Sequence, residues 1–517
     1  MKGTATMSIP APRPEPADTA LAATPAGIEE LRRLGAVTLD ALAAGAAARG
    51  GPLPPGGPAA VARRVRRRCA PVLPDHGVGA EAALSTLVRT VTEGSADPAD
   101  PACAGHLHCP PLALAVAAEL AACALNPSLD SWDQAPAASA LEEETTAALA
   151  ALVYPGRTAP DALITSGGTE SNLVALLLAR ERARRPQGPP VQVVCGANAH
   201  HSVHRAAWML GLAPPVVVDC PDGRLGPDAV DRALADVPGP ALVVATAGTT
   251  DAGLIDPLPE LARVAAARRA ELHVDAAYGG ALLFSRRLAG RLDGLASAAT
   301  VALDLHKLGW QPIAAGALAV ADAATLAPLA VRADYLNAAD DTDAGLPDLL
   351  GRSPRTSRRP DVLKVAVTLR ALGRTGLGRL VEDCVDAAER LAGRIDAHPA
   401  LRRRPGPCGI STVLFRPVAA APDAAGDALV AEVRRRLLTE GRAVLGRSRA
   451  PDADGRVRLW LKATLLHPHV RGADLDRLLA LVTDAVPAAL RELAAQPGDA
   501  ATGPAGRAHR PRPGAHR

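Results

Sequence analysis

The sequence predicts an α/β fold with a mostly parallel central sheet, a helical N-terminal segment and a small C-terminal α/β domain. Two observations support this prediction. From about residue 110 to residue 321, short runs rich in Val, Ile and Leu alternate with helical patterns. These runs are apolar along their whole length, as is typical of strands buried on both faces of a sheet. Such a sheet binds ligands beyond the carboxyl ends of its strands.

The chain divides by composition into five parts. Residues 1–24 are rich in Pro and Ala and are predicted to be flexible, and residues 25–109 are predicted to be helical, with Gly/Pro breaks at 50–58 and 95–105. A large domain is predicted over 110–397, a small domain over 398–495 and a disordered tail over 496–517. Within the large domain, strands are expected at 162–165, 191–196, 215–220, 241–247, 271–277, 300–305 and 315–322.

The second half of the chain has fewer strand patterns. A long polar loop is expected at 333–360 and a helical stretch at 361–397. A loop of that length in a compact enzyme is usually functional or disordered. The small domain is predicted to contain strands at STVLFRP (411–417) and RLWLKATLL (458–466), with helices at 426–440 and 473–494.

Charge and cysteine content exclude several classes of protein. The 57 basic and 54 acidic residues nearly balance, at a net charge of +3, which argues against a dedicated nucleic-acid or membrane-surface protein. No apolar run reaches the ~18 residues that a spanning helix needs. The eight cysteines form no CxxC pair, so neither a zinc site nor a redox dithiol is indicated. The sequence shows neither a signal-peptide pattern nor a spanning run, so we expect a cytoplasmic protein with reduced thiols. The HxH pairs at 106/108 and 467/469 lack acidic or cysteine companions, and we expect no metal site.

One glycine-rich motif follows a predicted strand. TSGGTESN (165–172) joins the strand to a helix, and small residues there let backbone N–H groups approach an anion at the helix N-terminus. The motif matches neither GxxxxGK[ST] nor GxGxxG, so it indicates a phosphate site other than a nucleotide loop. Taken alone, it is equally typical of an ordinary strand–helix turn.

Three further motifs place chemically reactive side chains after buried strands. Asp275 ends HVD (273–275), where a carboxylate needs a cation such as a protonated pyridine nitrogen. Lys307 follows the strand of LDLHKLGWQP (303–312), where a desolvated amine can form a Schiff base. NAHHSVHRAAW (198–208) offers a histidine for stacking or acid–base work. Individually these motifs also fit a capping Asp, an exposed Lys and a surface turn.

Together, phosphate loop, histidine, aspartate and lysine occur in the chain order of fold-type I pyridoxal-phosphate enzymes. The chain resembles the group II pyridoxal-phosphate decarboxylases, which include aromatic amino-acid, glutamate and diaminobutyrate enzymes. The resemblance covers roughly residues 25–490 and rests on DSWDQAPAASALEEE (130–144), TSGGTESN, HVDAAY and HK. HLHCPPL (106–112), HKLGWQP (306–312) and ADYLN followed by TSRRPDVLKVAVTLRALG look like bacterial L-2,4-diaminobutyrate decarboxylases and the lysine/ornithine decarboxylases of siderophore pathways.

The resemblance implies a role for each matching residue. Lys307 would bind pyridoxal phosphate covalently, Asp275 would pair with its ring nitrogen, and His200 would stack on the ring. His200 is preferred to His201 because the family pattern has Ser two positions after the histidine, here Ser202. The remaining residues implied to contact the cofactor are Gly168, Thr169, Thr246, Ala277 and His306.

The resemblance also implies a reaction and an assembly. Decarboxylation of an L-amino acid is expected, most simply a diamino acid (2,4-diaminobutyrate, ornithine or lysine), giving a diamine and CO2. Tyr335 would protonate the substrate carbon, and His108, Pro110 and Pro111 would line the substrate side. The family builds its active site at a homodimer interface, so we expect a homodimer clasped by the N-terminal helices, with the loop carrying Tyr335 crossing to the partner.

Other functions stay open on the sequence alone. The substrate could be an aromatic or acidic amino acid, or the enzyme could form an aldehyde with the same cofactor. A non-catalytic dimeric homologue is the remote alternative. Asp304 departs from the asparagine common in the wider family, although this branch also has acidic residues there.

Overall fold

The computed structural model describes residues 19–330 and 337–495, in which helices and strands alternate. The helices are α1 Pro25–Arg49, α2 Gly57–Cys69, α3 Ala80–Gly94, α4 Ala113–Leu125, α5 Pro136–Val153, α6 Gly168–Ala183, α7 Ser202–Met209, α8 Pro227–Ala235, α9 Leu258–Ala267, α10 Ala339–Asp343, α11 Val362–Asp396, α12 Ala424–Thr439 and α13 Gly472–Ala495. The strands are β1 Cys103–Ala104, β2 Asp161–Thr165, β3 Gln192–Gly196, β4 Val216–Val218, β5 Ala241–Thr246, β6 Glu271–Asp275, β7 Thr300–Asp304, β8 Gly316–Val320, β9 Leu401–Arg403, β10 Thr412–Pro417, β11 Val444–Pro451 and β12 Val457–Thr464.

The central sheet has seven strands in the order β2-β8-β7-β6-β5-β3-β4. The pairs from β7 to β4 are all parallel, whereas β8 runs antiparallel to both of its neighbours. The prediction of a mostly parallel sheet with these seven strands is confirmed. Since β8 alone is reversed, the carboxyl ends of the other six strands lie along one edge of the sheet.

The C-terminal sheet has five strands in the order β1-β11-β12-β10-β9. The predicted strands β10 and β12 and the predicted helices α12 and α13 are present, but β1, β9 and β11 were not predicted. In β11, Arg447 and Arg449 are exposed on one face while their neighbours are buried. That alternating polarity hides the strand from a search for continuous apolar runs.

Helix α11 belongs to both hydrophobic cores. Its first part, from Val362 to Val385, packs under the central sheet, whereas the stretch from Ala387 to Ile395 packs with the C-terminal sheet. The helix is interrupted at Gly373, whose φ of 60° suits a residue without a Cβ. The part of the helix after Gly373 contributes to both cores and therefore links the two sheets.

The N-terminal helices form a separate layer in which α1 packs on α3. The predicted breaks separate α1 from α2 and α3 from α4. The predicted loop at 333–360 contains α10 and a single 3-10 turn at Leu350–Arg352, and its residues 333–336 lie outside the described residues, as do residues 1–18 and the predicted tail. Within the described ranges, no helix is both long and apolar enough to cross a bilayer.

Candidate active site

The loop between β2 and α6 is packed against the turn that follows β7. Gly167 has φ of 147°, and a Cβ on it would lie 2.6 Å from His306 Cε1. A Cβ on Gly316, at the start of β8, would lie 2.5 Å from Gly167 Cα. Glycine is therefore favoured at 167 by its φ, and at 316 by the close approach of the two backbones. The loop leads into α6 at Gly168, where the first N–H groups of a helix can receive an anion.

Asp275 ends β6 with its carboxylate largely buried. Its Oδ2 accepts a hydrogen bond from Asn172 Nδ2 at 2.8 Å, and its Oδ1 accepts one from the backbone N–H of Ala277 at 3.1 Å. Buried carboxylates require such partners. These bonds fix the side chain at the carboxyl edge of the sheet.

His200 follows β3 and is held by the start of α7. Its Nδ1 lies 2.8 Å from Ser202 Oγ, and the ring of His201 lies beside it with centroids 4.1 Å apart. Burial lowers the pKa of His200; the His201 and Lys307 charges act in the same direction and Asp275 opposes them. The imidazole is therefore biased toward its neutral form.

Lys307 lies in the turn after β7, where both it and His306 contact Asp304. Its Nζ is 3.6 Å from Asp304 Oδ2, and His306 Nδ1 is 2.9 Å from Asp304 Oδ1. The same Asp304 carboxylate accepts a hydrogen bond from Gly168 N at 3.3 Å. Asp304 thus connects the lysine turn to the first residue of α6.

These side chains surround one cavity of about 270 Å³ at the carboxyl edge of the sheet. Its lining contains all eight residues predicted to contact a cofactor, including Thr246 at the end of β5. Seven further residues line it that were not predicted to do so: Leu107, Ser166, Gly167, Gly248, Thr250, Tyr278 and Asp304. Gly248 and Thr250 belong to TAGTTDAG after β5, a polar, glycine-containing strand end that could have indicated them.

The predicted substrate-side residues are placed differently. Leu107 lines the cavity, and the neighbouring Cys109 is held by a contact from its Sγ to the backbone oxygen of His306 at 3.2 Å. His108, Pro110 and Pro111 do not line the cavity of the single chain, and their assignment stays a prediction. Tyr335 lies outside the described residues, so its predicted role also stays a prediction.

The cavity has features that fit pyridoxal phosphate. Thr246 Oγ1 is buried and has no hydrogen-bond partner within the described residues, so a hydroxyl or oxyanion on a bound ring could complete it. The close backbone approach at Gly167 and the start of α6 suit a phosphate. Asp275 offers a buried carboxylate to a ring nitrogen, and Lys307 offers a primary amine.

A larger cleft elsewhere does not contain these groups. It has a volume of about 670 Å³ and lies between the loop after β5 and the end of α11. Four of its charged side chains form ion pairs with each other, with Arg291 at 3.4 Å from Glu389 and Arg403 at 3.0 Å from Asp396. The smaller cavity is therefore the candidate active site.

The chain is similar to known proteins over most of its length. Residues 67–415 match the family described as the pyridoxal-dependent decarboxylase conserved domain. The chain is 42% identical to an L-2,4-diaminobutyrate decarboxylase of Rhizobium meliloti (strain 1021), across 81% of this chain and 84% of that protein. It is 33% identical to an L-2,4-diaminobutyrate decarboxylase of Acinetobacter baumannii, across 79% of this chain and 84% of that protein.

A solved structure supports the same grouping. The glutamate decarboxylase domain of diaminobutyrate-pyruvate transaminase and L-2,4-diaminobutyrate decarboxylase from Vibrio parahaemolyticus superimposes with a TM-score of 0.79. The two chains are 29% identical, and the match covers 91% of this chain and 98% of that one. The central and C-terminal sheets are therefore arranged as in that enzyme domain.

Proposed function

The chain belongs to the pyridoxal-dependent decarboxylase family, and from this premise we propose that it decarboxylates an L-diamino acid, with L-2,4-diaminobutyrate as the first candidate. Its cofactor is pyridoxal phosphate. The substrate proposal rests on the two diaminobutyrate decarboxylases, which match four-fifths of the chain. The observation that carries the proposed chemistry is the convergence of Lys307, Asp275 and Gly168 on one cavity.

The eight residues that were predicted to contact the cofactor each have a proposed task in holding it. Gly168 and Thr169 receive the phosphate at the first turn of α6, with His306 beside them. Thr246 Oγ1 bonds to the ring hydroxyl, and Ala277 packs against the ring. Asp275 pairs with the ring nitrogen and keeps it protonated, His200 stacks on the ring, and Lys307 supplies the amine for covalent attachment.

The reaction converts the amino acid and one proton into the amine and CO2. When bound, the cofactor accepts the electron pair that the departing CO2 leaves on Cα. Lys307 would hold the cofactor until the substrate amine takes its place, and Asp304, 3.6 Å from Lys307 Nζ, would stabilise the free ammonium group of the lysine. Tyr335 donates the proton that replaces the carboxylate on Cα.

We further propose that the enzyme is a cytoplasmic homodimer and that its diamine product serves siderophore assembly. Support for the dimer comes from the N-terminal layer, which exposes large apolar side chains. Val72, Leu73 and Val78, between α2 and α3, are 83%, 91% and 67% exposed. Exposed apolar side chains this close together are typical of an interface.

The substrate proposal is tested by CO2 release from a panel of 2,4-diaminobutyrate, ornithine, lysine, glutamate and aromatic amino acids. We expect CO2 with one diamino acid, and no CO2 from Lys307→Arg, which keeps the charge but cannot attach the cofactor. Arg268→Ala, which removes an exposed ion pair with Asp231, serves as the matched control. CO2 from glutamate or an aromatic amino acid alone would overturn the substrate proposal, and an aldehyde product would overturn simple decarboxylation.

The dimer and the role of Tyr335 are tested by subunit complementation. Lys307→Ala and Tyr335→Phe are each expected to be nearly inactive as pure dimers. If Tyr335 acts in the partner's site, the mixed dimer contains one site with both changes and one intact site. Co-expression should then restore about a quarter of the activity, because half of the dimers are mixed. Activity no higher than that of two inactive pure variants would contradict a role of Tyr335 in the partner's site, and an active Tyr335→Phe dimer would show that Tyr335 is not needed.

A further inference from the structure

A buried chain of hydrogen bonds runs behind the candidate active site. It begins at Thr300 on β7, whose Oγ1 lies 2.8 Å from His273 Nδ1. His273 Nε2 lies 2.9 Å from Asn172 Oδ1 on α6. The amide nitrogen of Asn172 then contacts both Asp275 Oδ2 and Ser202 Oγ at 2.8 Å. The chain ends with Ser202 Oγ at 2.8 Å from His200 Nδ1.

The direction of each hydrogen bond follows from its neighbours. The carboxylate of Asp275 accepts, so the amide nitrogen of Asn172 must face it, and the amide oxygen must face His273. An amide oxygen only accepts, so the proton of His273 lies on Nε2. Burial lowers the pKa of His273 to about 4, against the opposing effect of Asp275, so the ring is neutral and its Nδ1 accepts from the hydroxyl of Thr300.

The same reasoning reaches the ring of His200. Asn172 uses its second amide proton on Ser202 Oγ, which leaves the hydroxyl proton of Ser202 for His200 Nδ1. The backbone N–H of Ser202 also points at that nitrogen, at 3.3 Å. Two donors therefore face His200 Nδ1, and the proton of the neutral ring must lie on Nε2. Within the described residues, Nε2 makes no hydrogen bond of its own.

We propose that Asn172 and His273 are positioning residues that hold Asp275 and fix His200 as the Nε2-protonated tautomer. His200 then faces the cavity as a hydrogen-bond donor and cannot act as a base through Nδ1. The proposal rests on the function proposed above, because it assigns a state to a ring beside the cofactor. A ring fixed in this way suits an anionic partner in the cavity, such as a carboxylate.

The state of His200 can be observed directly in the holoenzyme. Ring nitrogens of ¹⁵N-histidine-labelled protein are measured by NMR near neutral pH, and the signals of His200 are identified by their loss in His200→Gln. We expect one protonated nitrogen, assigned to Nε2, and one unprotonated Nδ1. A protonated Nδ1 or a doubly protonated ring in the wild-type holoenzyme would overturn the proposal.

Variants of Ser202 and Asn172 distinguish a role in positioning His200 from a role in packing alone. Ser202→Ala removes one of the two donors to Nδ1, whereas Ser202→Thr keeps the hydroxyl. We expect Ser202→Ala and Asn172→Ala to mix the tautomers of His200 and to lower kcat by on the order of ten- to a hundred-fold, as for a misplaced group, with Ser202→Thr near wild type. Ser285→Ala, which removes a buried hydroxyl bonded to Glu382, is the control for general destabilisation.

The outcomes also separate this proposal from the function. If the tautomer of His200 is unchanged in both Ser202→Ala and Asn172→Ala, the proposed positioning role of the hydrogen-bond chain is contradicted, whatever the activity of these variants. The wild-type protein could instead bind pyridoxal phosphate and show the expected His200 tautomer, yet release no CO2 from any amino acid. That result would contradict the proposed function but not the positioning role of the hydrogen-bond chain.

Discussion

At the scale of single residues, the cavity wall contains a buried hydroxyl, that of Thr246, which lacks a hydrogen-bond partner within the described residues. Thr246 Oγ1 is buried without a hydrogen bond in the described residues, whereas the hydroxyl of Thr165, at the end of β2, lies 2.8 Å from Ser171 Oγ. An unpaired buried hydroxyl lowers the stability of the cofactor-free protein. The two threonines should therefore respond in opposite ways to the same substitution.

We expect Thr246→Val to leave the thermal stability of the cofactor-free protein unchanged or raised. The same change should raise the dissociation constant of pyridoxal phosphate by roughly three- to tenfold, since one net hydrogen bond contributes about 0.5–1.5 kcal/mol. Thr165→Val is the matched control and should destabilise the cofactor-free protein. Fluorescence titration and thermal unfolding measure the two quantities, and an unchanged affinity in Thr246→Val would contradict the assigned contact.

His273 makes the stability of the fold depend on pH in the acid range. Its pKa in the folded chain is about 4, below the usual value of 6.5, so between these values the unfolded chain binds more protons. The free energy of unfolding should therefore fall as the pH falls from about 6.5 to 4, by roughly 3 kcal/mol from this residue. Thermal unfolding of wild type and His273→Gln across this range tests it: the difference between the two curves should shrink toward pH 4, and a constant difference would contradict the prediction.

The reactive residues could be predicted from sequence, but the polar groups behind them could not. Lys307, Asp275 and His200 each follow an apolar run, and that position made them candidates. His273 lies within such a run, and its partner Asn172 is 101 residues away along the chain. A hydrogen bond over that separation becomes visible only when the strand order is known.

At the scale of elements, the start of β8 packs against the phosphate loop between β2 and α6. A Cβ on Gly316 would lie 2.5 Å from Gly167 Cα and 2.6 Å from Gly167 N, closer than real Cβ atoms approach a backbone. Since β8 pairs with both β2 and β7, it cannot move away from the loop without disturbing the ladder. The loop should shift instead.

We expect Gly316→Ala to destabilise the protein by about 1–3 kcal/mol through overpacking and to weaken binding of pyridoxal phosphate. Gly393→Ala is the control, because a Cβ there meets nothing within 4 Å. Urea unfolding and cofactor titration provide the measurements. A Gly316→Ala variant as stable as Gly393→Ala, with unchanged cofactor affinity, would show that the contact is not needed.

Elements of uniform polarity were predicted and those of mixed polarity were missed. Six of the seven central strands are buried along most of their length, and the edge strand β4 is apolar although Val216 and Val217 are exposed, so all seven runs could be recognised in the sequence. Strand β9 has only three residues, two of them arginines, and β11 alternates buried and exposed side chains. Their pairing depends on β10 and β12, which the local sequence does not reveal.

At the scale of the whole molecule, Tyr278 joins the central sheet to the C-terminal sheet. Its hydroxyl lies 2.8 Å from Ser411 Oγ and 3.0 Å from Thr412 Oγ1, and it accepts from Ser411 N at 3.0 Å. Tyr154 is equally buried, but its hydroxyl has only a 3.5 Å contact with the Ala319 carbonyl oxygen. The two tyrosines thus provide a matched pair.

We expect Tyr278→Phe to lower the free energy of unfolding by about 1–3 kcal/mol, because it leaves buried partners at Ser411 and Thr412 without a bond. Tyr154→Phe should cost less. Limited proteolysis of the native protein should cut faster between the two sheets in Tyr278→Phe. Equal stability of the two variants would show that the hydroxyl does not connect the sheets.

The segment from Cys103 to Leu112 is fastened on both sides of the cavity. At one end β1 pairs with Val444 and Leu445 of the C-terminal sheet, and at the other the N–H of Leu112 bonds the Trp310 carbonyl oxygen beside the lysine turn. Leu107, between these anchors, forms part of the cavity wall. Because the segment is bonded to the C-terminal sheet at one end and to the lysine turn at the other, Leu107 should move when the two sheets move apart. Any change in the distance between the two sheets should therefore also change the width of the active-site cavity.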